Sequence, residues 1–197
     1  MPGPDTSINL RAATVLTADE NQSGLDILGQ ILMGFGVQRV IRAQTPDEFR
    51  RHVETHHIDL VILDSNLGGG MGYELVHWLR RLPAEPKRFT PAIVLAGYTP
   101  LSQVEQARDC GASFMVAKPI SANVLLDRIV WIGRSARPFV EAPAYVGPDR
   151  RFKNEGVPFG AAGRRSGDLS GDLGEAVQPN LSQSEIDDLM TPKRMIL

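Results

Sequence analysis

The chain has 197 residues, 42% of them hydrophobic, and a formal net charge of −2. That length holds one domain of ordinary size plus extra material, and the charge excludes a basic surface over the whole chain, so any nucleotide contact has to come from a local cluster. The lone Cys110 excludes an internal disulfide and a cysteine-rich metal site and fits a reducing, cytoplasmic setting. No apolar run reaches membrane-spanning length, so no membrane insertion is expected. His52, His56, His57 and His77 lack ligand spacing and read as surface residues.

Residues 1–13, with two prolines, read as a flexible lead-in. Thr14–Ala18 reads as a strand that runs into Asp19, Glu20 and Asn21. Leu25, Leu28, Ile31, Leu32 and Phe35 then keep helical spacing, and Gly34 and Gly36 stop the helix. Val37–Ile41 is a second strand, and Pro46 opens a second helix with Asp47 and Glu48 in its first turn. Leu60–Leu63 is an unbroken apolar run that ends on a single acid, Asp64, as a strand buried on both faces does. Gly68, Gly69, Gly70 and Gly72 force a turned loop after it. A helix over about 73–82 follows, then a strand Pro91–Leu95, a turn through Gly97 and Pro100, and a fourth helix ending near Cys110, which reads as a small buried hydrophobe. Phe114–Ala117 is a fifth strand ending on Lys118-Pro119, and Val124, Leu125, Ile129 and Ile132 mark a last long helix.

Five strands alternating with five helices imply a parallel sheet covered on both faces, and the flavodoxin-like order 2-1-3-4-5 is the commonest arrangement. In that order strands one and three are neighbours. Asp19 and Glu20 then stand beside Asp64 at the carboxyl edge, with Lys118 close by. Three crowded carboxylates repel one another unless a hard cation neutralises them, and magnesium is the natural partner of Asp19, Glu20 and Asp64. A lysine opposite them can pair with a phosphoryl oxygen. The competing reading of Asp64 alone is a turn-forming aspartate at a strand end.

With the acid pair Asp19-Glu20, Asp64 followed by Gly72, and Lys118-Pro119, residues 14–136 resemble a response-regulator receiver domain of the chemotaxis (CheY) type. The resemblance implies that Asp64 takes a phosphoryl group from a histidine kinase, with Lys118 assisting and Mg²⁺ held by the acids. Two positions depart from the family pattern. The switch hydroxyl after strand four is Ala96, and the switch aromatic before the lysine is Met115, with Phe114 one position off. Without that hydroxyl, the population shift driven by a phosphoryl group is weakened.

After the last helix the composition changes. Residues 137–177 are rich in Gly, Pro, Ala and charge without a hydrophobic period, and read as a flexible arginine-rich segment. It is too short on periodic helices for a helix-turn-helix module, so no DNA contact is expected. Two arginine doublets stand in it: Arg150-Arg151 in Tyr145-Val146-Gly147-Pro148-Asp149-Arg150-Arg151, and Arg164-Arg165 after Gly163. A solvated charged linker accounts for such doublets. Guanidinium also pairs bidentately with guanine, stacks on bases and binds phosphate, while Asp149 can accept from guanine nitrogens and flanking glycines allow close backbone approach. The segment also resembles the arginine-rich extension of the CheY-like cyclic di-GMP effectors. That similarity implies cyclic di-GMP held by Tyr145, Asp149, Arg150, Arg151, Arg164 and Arg165, and a receiver that docks on the flagellar motor switch protein.

Residues 178–197 carry a short amphipathic helix motif. Ser182 and Glu185 form a capping box, and Leu181, Ile186, Leu189 and Met190 suit a helix laid in a groove. The stretch resembles the amino-terminal peptide with which the flagellar switch protein captures its regulator, and it is expected to fold back on the face made by the fourth helix, fifth strand and fifth helix. The leading expectation is a non-catalytic signalling module, a cyclic di-GMP effector acting on a protein partner. The alternative is a phosphorylation-driven single-domain response regulator served by a histidine kinase.

Overall fold

A computed structural model of the chain describes residues 9–134, 138–149 and 180–190. Strands β1 (Thr14–Ala18), β2 (Arg39–Ala43), β3 (Leu60–Asp64), β4 (Ala92–Ala96) and β5 (Phe114–Ala117) form one parallel sheet in the order β2-β1-β3-β4-β5. This is the flavodoxin-like order that the alternation of strand and helix patterns implies. Every residue of β1, β3 and β4 is buried, as expected of inner strands with helices on both faces.

The helices are α1 (Gln22–Gly34), α2 (Pro46–Thr55), α3 (Leu67–Gly70, a single turn), α4 (Gly72–Arg80), α5 (Leu101–Asp109) and α6 (Ala122–Arg134). Their starts follow local chemistry. The Asn21 side chain accepts from the Ser23 amide at the head of α1, and the Thr45 hydroxyl accepts from the Glu48 amide ahead of Pro46 at the first position of α2. The longer helices turn an apolar stripe inward, for example Leu25, Leu28 and Leu32 of α1 and Leu75, Val76 and Leu79 of α4. Cys110 caps α5 and is buried, as its apolar reading has it.

Strand β2 begins two residues later than the sequence pattern suggests. Gly36 takes φ +90° to end α1, and the Val37 amide donates to the Leu32 carbonyl at 3.0 Å. Val37 is therefore spent on closing the helix and does not enter the ladder.

The larger revision concerns the segment from residue 137. Its first part is ordered: β6 (Phe139–Ala142) and β7 (Tyr145–Pro148) pair as an antiparallel hairpin. The hairpin lies on the amino-terminal side of β4 and β5, remote from Asp64. It has no core of its own, so composition alone does not announce it. Phe139 packs edge-on against Phe89 with ring centroids 4.6 Å apart, Glu141 pairs with Arg88, and Gly147 presses on Gly111 so closely that a Cβ on Gly147 would lie 2.8 Å from the Gly111 Cα.

Beneath the hairpin lies Arg80, fully buried and, among the described residues, without a carboxylate partner. Its guanidinium donates to the carbonyls of Gly111, Arg88 and Thr90 at 2.9, 2.8 and 2.7 Å. Burial lowers its pKa to about 10, which still leaves it charged at neutral pH.

The last described element, α7 (Gln183–Met190), covers β5 between α5 and α6. That is the face on which the motif is expected to fold back. The capping box forms, with the Ser182 amide donating to Glu185 at 2.8 Å. Ile186 and Met190 are buried, whereas Leu189 stays largely outside. Among the described residues no helix is long and apolar enough to cross a membrane.

Candidate phosphoacceptor site

The parallel register that sets Ala18 beside Leu63 puts the next residues, Asp19 and Asp64, side by side at the carboxyl edge of the sheet. Both are nearly buried. Asp64 Oδ1 accepts from the Asn66 amide at 2.6 Å, and Asp19 Oδ1 from the Asn21 amide at 2.9 Å, so each carboxylate is oriented by the turn that follows it. Lys118, just past β5, reaches across the end of β4 and joins the two: its Nζ lies 2.9 Å from Asp19 Oδ2 and pairs closely with Asp64 Oδ2. Burial pulls the Lys118 ammonium down, but the hydrogen bonds and charges of Asp64 and Asp19 outweigh it, and its pKa is raised.

Glu20 points aside and accepts from the Gly68 amide at 2.6 Å. The structure thus brings Asp19, Glu20, Asp64 and Lys118 to one open cavity of about 680 Å³. The donors suit a hard cation, since all three acids offer carboxylate oxygens. In this arrangement Lys118 stands between Asp19 and Asp64, and no three acidic, histidine or cysteine side chains among the described residues converge on one point.

Gly72 secures the geometry from below. Its amide donates to the Ser65 carbonyl at 3.1 Å, and a Cβ there would run into the Asp64 carbonyl and the Ser65 backbone. Only glycine lets α4 start this close to the strand end that carries Asp64.

At the switch position Ala96 is fully buried and offers only a methyl group, while its carbonyl accepts from the Lys118 amide at 2.8 Å. The profile described as response regulator receiver domain matches residues 15–130. The chain belongs to the response regulator receiver domain family. It is 33% identical over 138 residues to the virulence sensor protein BvgS of Bordetella pertussis, which covers 68% of this chain but only 11% of that much longer protein. The polar-differentiation response regulator DivK of Brucella ovis is 24% identical over 116 residues, covering 59% of this chain and 92% of that protein. A CheY-like receiver from Methanospirillum hungatei superposes with a TM-score of 0.54 at 26% identity, over 60% of this chain and 90% of that one. Chemotaxis regulator CheY4 of Vibrio cholerae gives 0.55 at 24% identity, over 61% and 98%.

Within this receiver the first aliphatic hydroxyl after β4 is that of Thr99, and it is already engaged: it donates to the Leu181 carbonyl at 2.9 Å. Phe114 is locked in the core, edge-on to Trp131 at 4.9 Å, and Met115 beside it is buried. Sequence reasoning missed the far wall of the cavity. Tyr73, Gly97, Tyr98 and Gln103 line it, and the Tyr73 hydroxyl, pushed up to about 12 by burial, donates to Gln103 Oε1 at 2.7 Å. Tyr73 directly follows Gly72, which was the available signal; nothing marked Gln103.

Of the tail residues assigned to cyclic di-GMP, Tyr145 is buried in β7 with its hydroxyl donating to the Pro148 carbonyl at 2.6 Å, and the Asp149 amide donates to the Pro138 carbonyl at 2.8 Å. Arg150, Arg151, Arg164 and Arg165 lie outside the described residues. Gly147 makes its close approach to Gly111 of the same chain, where a ligand backbone contact had been expected.

Proposed function

We propose that the chain is a two-component regulator whose Asp64 accepts a phosphoryl group from a histidine kinase. The observation that carries this reading is the Asp19–Lys118–Asp64 bridge at the mouth of one cavity. An Asp64 carboxylate oxygen attacks phosphorus of a phosphorylated imidazole; the P–O bond forms, the P–N bond breaks, and the leaving imidazole nitrogen takes up a proton. Lys118 turns from the carboxylates to the new phosphoryl oxygens. Asp19, Glu20 and Asp64 would hold a magnesium ion, which supplies charge neutralisation for the incoming group. With acetyl phosphate and Mg²⁺, mass spectrometry should show one added phosphoryl group on the intact chain and none on Asp64→Asn. Equal incorporation in both would overturn the assignment.

A second reading assigns the tail to cyclic di-GMP, with docking on the flagellar motor switch as the output. The hairpin supports it in one respect: it fixes the amide of Asp149, the residue before the arginine doublet, against the Pro138 carbonyl. Tyr145 and Gly147 are committed inside the hairpin, which leaves the ligand to Asp149, Arg150, Arg151, Arg164 and Arg165. Calorimetric titration of cyclic di-GMP should show binding to the intact chain and none to Arg150→Ala/Arg151→Ala. No heat with the intact chain removes this reading.

A further inference from the structure

Residues 180–190 sit on the α5–β5–α6 face through contacts that do not depend on chain continuity. Thirty residues of sequence, 150–179, separate them from the hairpin. The lead-in runs beside Thr99: the Leu181 amide donates to the Thr99 carbonyl at 2.7 Å, and the Thr99 amide donates to the Asn180 side chain at 3.0 Å. Gln183 then caps the outer edge of β5. Its Nε2 donates to the Met115 carbonyl at 3.2 Å, and its Oε1 accepts from the Ala117 amide at 2.7 Å. As the last strand, β5 has no neighbour to take those two groups.

One turn apart on the same helix face, Ile186 and Met190 are buried to 0% and 3% exposure. Asp187 pairs with Arg128 of α6 and accepts from Gln183. The footprint is that of a short acidic amphipathic peptide, complete within eleven residues.

We propose that α7 is an exchangeable occupant of this face: the chain's own segment competes with any partner helix carrying the same pattern, and its release opens the surface. The inference goes beyond phosphoryl acceptance and stands whether or not Asp64 is modified. The two anchors place it next to the cavity. Thr99 follows the cavity residues Gly97 and Tyr98, and Ala117 precedes Lys118.

The test uses a fluorescent peptide of residues 180–190, titrated against the intact chain and against an Ile186→Asp/Met190→Asp variant with native circular dichroism. The variant should bind at least tenfold tighter than the intact chain, and adding Arg128→Glu to it should cost at least tenfold. Equal affinities, or a folded variant that binds no peptide, would show that α7 is a fixed part of the domain. If the variant does not fold, amide exchange of the unsubstituted chain decides. The Ala117 amide, held by Gln183, should exchange at least a hundredfold faster than amides of β4, and equal protection overturns the proposal.

Discussion

Two segments beyond the receiver return to it, and they do so by different physics. The hairpin sits over a buried guanidinium that serves three backbone carbonyls, and it meets the body glycine against glycine. Helix α7 is held by two apolar plugs and a few polar contacts at a sheet edge. Its two plugs contribute about 4 kcal/mol together and the six hydrogen bonds to Thr99, β5 and Arg128 about 1 kcal/mol each. Ordering eleven residues costs about 1 kcal/mol apiece. The balance lies near zero. One segment is therefore part of the fold and the other is poised to leave it.

The largest expected effect comes from breaking the permanent side. Arg80→Met removes a desolvated charge but strands the carbonyls of Gly111, Arg88 and Thr90, and it should cost about 3 kcal/mol in urea unfolding. A loss under about 1 kcal/mol would mean that the hairpin is as loosely held as α7.

A smaller effect sharpens the coupling between α7 and the cavity. To reach a phosphoryl group Lys118 has to leave Asp19, and the residue before it is held by Gln183. Binding of beryllofluoride with Mg²⁺, followed by tyrosine and tryptophan fluorescence, should be about fivefold tighter in Ile186→Asp than in the intact chain. Because linkage is reciprocal, the same ligand should loosen α7 by the same factor. Identical affinities would disconnect the two.

The pH dependence of the cavity should be visible only in alkali. The Lys118 pKa is raised above its ordinary 10.5, so its pairing with Asp19 and Asp64 stabilises the fold fully below that value and is lost as pH rises through the higher folded-state value. Comparing unfolding of the chain with that of Lys118→Met should show a difference that is constant near neutrality and shrinks only in that range. Shrinkage near neutral pH would contradict the bridge. The smallest effect concerns Cys110, whose thiol burial pushes up to about 12: a thiol reagent at pH 8 should label it only on unfolding.

The receiver was legible because its signals are local. The apolar run into Asp64, the acid pair after β1 and Lys118 after β5 are each a strand end, and an alternating pattern with right-handed crossovers leaves few ways to place them. Gly72 was legible as a residue but not as a reason, which is the clash of any Cβ with Asp64 and Ser65. The capping box and apolar spacing of 181–190 announced a helix suited to a groove, and the resemblance to the switch-protein peptide pointed to the face it lies on. The hairpin was not legible, because Phe139 and Gly147 are stabilised by Phe89, Arg80 and Gly111, far away in sequence. Nor did sequence say that Thr99 would spend its hydroxyl on Leu181, or that Gln183 would complete the edge of β5. The sequence determined the elements, their order and the acids at their ends, because propensity and periodicity act over a few residues. Only the tertiary structure decided which tail contacts are fixed and which can exchange, because that depends on groups left unpaired at a sheet edge and on a charge buried between distant loops.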